Sequence, residues 1–140
     1  MQETPRYIRN YESVVSAFGC WPSFHDSPVL VFEHDGDGIT LALHAWEMTS
    51  QKDAKGYFVL HKHHVIRFAF RGVTKADLAR FIPQNILFEL VFSPSADFDA
   101  TGKFTVALDS AMGSDLCGSF TANFGEVTAV LPCDERGQIA

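Results

Sequence analysis

Six consecutive positions, Trp21-Pro22-Ser23-Phe24-His25-Asp26, gather the side chains with the widest chemical reach in this chain. An imidazole beside a carboxylate is the pairing that general acid–base catalysis uses. The same two groups in a turn can instead hydrogen-bond backbone, while Trp21 and Phe24 plug one end of a core. Both readings, a brace and a binding or catalytic corner, stay open at this stage. A second cluster is His61-Lys62-His63-His64. On an extended strand His61 and His63 share a face, and histidines so spaced can chelate a metal. Nothing in the sequence brings His25, His44 or Asp26 to them, and Lys62 sits between, so no metal site is expected. Asp35-Gly36-Asp37-Gly38 lacks the spacing and closing glutamate of a calcium loop and reads as a hairpin turn. No G-x-S-x-G, P-loop or G-x-G-x-x-G occurs. Cys20, Cys117 and Cys133 form no C-x-x-C pair. No catalytic residue and no cofactor are therefore assigned.

These residues need elements to hold them. The first segment reads as a helix, with Thr4 as cap, Pro5 at its first position and an apolar stripe of Ile8, Tyr11, Val15 and Phe18. Gly19 stops it. SPVLVFEH and ITLALHAWEM flank the Asp-Gly turn as a hairpin. In its second strand Ile39, Leu41, Leu43 and Ala45 share one face, and Thr40, Ala42, His44 and Trp46 the other. YFVLHKHHVIRFAFRGV is β-rich, with a break or bulge expected near Lys62–His64 and a core face of Ile66, Phe68 and Phe70. Thr74 to Asp77 resembles a capping box, which predicts a short helix carrying Leu78 and Phe81 and ended by Pro83. ILFELVF and KFTVALD are strands, and SAMGSD is a turn. CGSFTANFGEVTAVLP changes parity, which demands a turn or bulge at Gly125. The tail 134–140 and residues 1–4 are expected to fray. The pattern is α+β: one N-terminal helix and one short helix on a mostly antiparallel, curved sheet of about 6–8 strands, in a single domain spanning 1–140.

Composition sets further bounds. With 140 residues, 46% hydrophobic and 13 Phe, the chain can bury a core without staples. No apolar run is long enough for a membrane helix. The N-terminus lacks the build of a secretory signal, so a cytoplasmic setting is expected. The net charge is −6, and residues 81–140 carry all of it, with eight acids against two bases. Such a surface repels phosphate backbones and attracts a basic protein, so no nucleic acid is expected as partner. The candidate partner surface is Asp97, Asp99, Asp109 and Asp115, with Asp35 and Asp37 at the hairpin tip second.

From Phe18-Gly19-x-Trp21-Pro22-Ser23-Phe24-His25-Asp26-x-x-Val29 onward the chain resembles the immunity protein 50 family of bacterial polymorphic toxin systems. His64-Val65-x-x-x-Phe68-x-x-x-Gly72-Val73, Phe81-x-x-Gln84-Asn85-Ile86-Leu87 and Phe120-x-x-x-Phe124-x-x-Val127-x-x-Val130-x-Pro132 continue the likeness over about residues 8–132. Where that family often has a cysteine in its closing strand, this chain has Ala122, so no thiol role carries over. The resemblance implies a non-catalytic protein that binds and neutralises a co-encoded toxin, and the acidic balance points to a basic one; a monomer or weak homodimer is expected. The competing readings are an interaction or ligand-binding module and a hydrolase using His25 and Asp26.

Overall fold

A computed structural model describes residues 4–52, 54–56, 58–78, 86–110 and 118–139. It holds two helices and eight strands in two antiparallel four-stranded sheets, an α+β arrangement. In the first sheet β1 (Val29–Asp35), β2 (Gly38–Lys52), β3 (Phe58–Arg71) and β8 (Phe124–Pro132) lie in the order β1-β2-β3-β8. In the second, β4 (Thr74–Leu78), β5 (Leu87–Pro94), β6 (Phe104–Ser110) and β7 (Gly118–Ala122) lie in the order β4-β7-β6-β5. No helix among the described residues is long and apolar enough to cross a membrane.

The two sheets meet at a corner built from two residues. The chain passes from β3 to β4 through Gly72, at φ 66, and from β7 to β8 through Asn123. A Cβ on Gly72 would fall 2.1 Å from the Asn123 side-chain oxygen, so only glycine lets the two crossings touch. The parity change expected at Gly125 therefore occurs two residues earlier, at Asn123, where the chain leaves one sheet for the other. Up to Ala122 the buried residues belong to the second sheet; Gly125 and Val127 belong to the first.

Several elements follow their sequence signals. Asp35 pairs with Gly38, which leaves Gly36 and Asp37 as a two-residue turn with Gly36 at φ 60. Ile39, Leu41, Leu43 and Ala45 are buried, as are Ile66, Phe68 and Phe70 opposite them. The break expected near Lys62–His64 is a bulge: Ala45 faces His64 while Glu47 faces His61, and Lys62 takes φ 56.

Other expectations are corrected. The first helix, α1, spans Tyr11–Phe18, and Asn10, not Thr4, takes the cap position. Pro5 does not start it because the preceding segment pairs along β8: Arg9 N donates to Gly125 O at 2.8 Å and Val127 N to Arg9 O at 2.8 Å. Ile8 is buried from a turn closed by its own N–H on Pro5 O, and Val14, not Val15, fills the core face. Gly19 does end the helix, at φ 80, its N–H on Val15 O. The predicted helix after Thr74 is strand β4, which pairs with β7 through Thr74–Thr121 and Asp77–Ser119. Phe81 and Pro83 lie outside the described residues, as does the SAMGSD turn from Ala111 on. The second helix is instead a single turn, α2 (Phe98–Thr101), inside the loop between β5 and β6.

Over Cys133–Ile139 the tail turns back on itself. Cys133 bridges Ile139, and the Asp134 carboxylate accepts the N–H groups of Arg136 and Gln138, each at 2.9 Å.

Candidate functional site

The run Trp21 to Asp26 links α1 to β1, and the fold divides its side chains. Trp21 and Phe24 are buried, and their rings meet edge to face at 5.8 Å. Trp21 also packs on Phe68 and Phe92, one from each sheet, so it ties the helix exit to both. Its indole N–H is buried with no partner among the described residues, which marks its role as packing. Phe24 and Asp26 take left-handed backbone, φ 60 and 65, in a turn closed by Ser27 N on Phe24 O. Asp26 N donates to Leu87 O and Leu87 N to Ser27 O, which fastens the corner to β5. His25 and Asp26 stay in solvent: their side chains are 51% and 57% exposed, with His25 Nε2 3.5 Å from Asp26 Oδ2. A pair so exposed adds little to stability.

Beside this turn opens a pocket of about 340 Å³, with Phe18, Pro22, Phe24, His25, Ser27 and Trp46 among its walls. Its lining is mainly apolar. That volume sits at the small end of sites that take a ligand or a partner's side chain. Sequence reasoning found the turn but missed Trp46, which β2 brings across to it.

The structure places the acidic candidates in two groups. Asp35, Asp37, Asp97 and Asp99 are exposed at the corner end, where the crossings meet. Asp37 has a structural duty there: its carboxylate accepts Gly72 N at 3.2 Å and its carbonyl accepts Val73 N at 2.9 Å. Bases share that end, since Lys75 and Lys103 line one cleft with Asp97, and Arg71 lines another with Glu33 and Asp35. Asp109 lies elsewhere, cross-strand to Glu89 and next to Ser110, which pairs with Leu87. Leu87 is the residue bonded to Asp26 and Ser27, so Asp26, Glu89 and Asp109 gather at the Trp-Pro-Ser-Phe-His-Asp end. Asp115 lies outside the described residues.

The histidines also part. His61 is on β3, paired with Glu47 in the backbone register, and Lys62 takes φ 56 at the bulge beside it. His63 turns to His44 of β2, with His44 Nε2 and His63 Nδ1 3.0 Å apart. Trp46 lies against both rings, and the tail turn covers His44, a Cβ on Gly137 falling 3.2 Å from its Nδ1. No group of three or more metal-ligating side chains converges among the described residues. The signal for the His44–His63 pair was the expected bulge combined with a register that no single strand reveals.

Burial holds the His44 imidazole below its ordinary 6.5, and His63 pushes it the same way, while Asp134 pulls it up. The N–H groups of Gln138 and Arg136 hold the Asp134 carboxyl below its ordinary range. Burial, with Asp134 beside it, pushes the Cys133 thiol above 9.0. Unfolded, His44 would take a proton that the fold refuses, so stability falls as pH drops from about 6.5 through the depressed His44 value. Unfolded, Cys133 would ionise where the folded thiol resists, so stability also falls as pH rises past about 9. Urea midpoints measured across pH should show a plateau between these limits. His44→Gln should flatten the acid limb; an acid limb unchanged in that variant would contradict the account.

No family model, no curated protein and no solved structure matches this chain.

Proposed function

We propose that this chain is a non-catalytic immunity protein that binds and neutralises a co-encoded bacterial toxin. The observation that carries the reading is the division of the signature run. Its aromatics brace the core, and its His25–Asp26 pair stands in solvent beside an aromatic-walled pocket. That is the layout of a docking corner on a rigid scaffold. Support also comes from the family resemblance over residues 8–132 and from carboxylates that stay exposed at Asp26, Glu89 and Asp109. The acidic balance suits a basic toxin, and the expected setting is the cytoplasm of the producing bacterium.

The same pocket favours a second reading, a small-ligand module with no toxin partner. Co-expression separates them. Cells carrying the neighbouring toxin gene should survive only when this chain is expressed, and the two products should co-elute from a sizing column. Death regardless of the chain, with no complex, would overturn the immunity reading.

A further inference from the structure

We infer that the pocket beside His25 and Asp26 receives an arginine side chain of a protein partner. The inference names the partner chemistry at the corner just described, and so rests on the immunity reading for the identity of that partner. The geometry supplies both halves of an arginine site. Phe18, Pro22 and Phe24 form an apolar wall for the methylene stem, and Trp46 offers an indole. A guanidinium favours an aromatic face and is only weakly hydrated, so it enters such a pocket more readily than an ammonium. At the rim the Asp26 carboxylate reaches within 3.5 Å of the His25 ring that lines the opening. More than half of the Asp26 side chain is exposed, which leaves it available for a planar, two-pronged donor. Glu89 and Asp109, paired across β5 and β6, add negative charge on the strands to which the turn is fastened through Leu87. Apolar walls alone would suit a leucine or phenylalanine equally; the acidic rim selects the cationic side chain.

The backbone allows a clean test. Asp26 sits at φ 65, a conformation asparagine tolerates well, so Asp26→Asn removes the charge without disturbing the turn. The first arm uses no toxin. N-acetyl-arginine amide is titrated into the labelled chain by NMR, with N-acetyl-norleucine amide as neutral probe. The arginine probe should give saturable shifts at the Trp46 indole and the Ser27 amide, bind about tenfold more tightly than norleucine, and lose that advantage in Asp26→Asn. Equal binding of the two probes, or arginine shifts mapping to Asp97 and Asp99 instead, would overturn the proposal.

The second arm measures toxin affinity. Asp26→Asn and Trp46→Ala, each checked for folding by circular dichroism, should each weaken the complex about tenfold or more. Tight toxin binding unchanged in both variants would overturn the pocket assignment and leave the immunity reading standing. Saturable arginine binding by a chain that ignores the toxin would support the pocket and overturn that reading.

Discussion

Trp21→Ala should destabilise the protein by about 3–5 kcal/mol, the range for deleting a large buried aromatic. In a domain of this size that lowers the thermal midpoint by roughly 10–20 °C. The reason lies in what Trp21 joins: Phe24 in the turn, Phe68 in the first sheet and Phe92 in the second. Removing the indole opens a cavity at the meeting point of three elements that cannot all collapse into it. Trp21→Phe should cost less than half as much, because the indole N–H has no partner to lose and a ring still fills most of the space. His25→Ala, four residues on in the same run but exposed, should stay within about 0.5 kcal/mol of the parent. Calorimetry of the three variants checks this ordering. Equal losses at Trp21 and His25 would contradict the division of the signature into brace and exposed pair.

On the proposed immunity function, removing charge at Glu89 and Asp109 should slow capture of the toxin. Glu89 and Asp109 lie cross-strand and exposed, so they add to the same local potential. Glu89→Gln with Asp109→Asn should lower the association rate about tenfold at low salt while leaving dissociation nearly unchanged. The difference should close at high salt, where the Debye length falls to about 3 Å. Neutralising Asp35 and Asp97 should change the rate less, because Arg71, Lys75 and Lys103 share their clefts. Stopped-flow mixing over a salt series reads both. A larger effect from the second set would move the docking surface to the corner end, where sequence reasoning first put most of the acids.

Local chemistry was legible wherever one residue type decides a conformation. Glycine at positions 36 and 19 announced the hairpin turn and the helix end, and alternation announced the core faces of β2 and β3. Tertiary pairing overrode local signals elsewhere. Thr74 to Asp77 carries a respectable helix start, yet β7 offers it a strand partner, and the ladder wins over a weak propensity. Pro5 likewise opens no helix because Arg9 is needed along β8. The split into two sheets hangs on Gly72 and Asn123, residues 51 positions apart that touch only once the fold exists. The candidate site shows the same limit. Its turn was visible as an unusual run, but Trp46, the His44–His63 pair and the gathering of Asp26 with Asp109 depend on register across strands.

The central claim is that this chain neutralises by occupancy and not by turnover, and stoichiometry tests it most directly. Toxin activity is titrated with purified chain at a toxin concentration far above the dissociation constant. The account predicts a straight loss of activity ending at one chain per toxin, with full recovery when the complex is dissociated. Inactivation by substoichiometric chain, or activity that stays lost after separation, would show a catalytic antidote and contradict it.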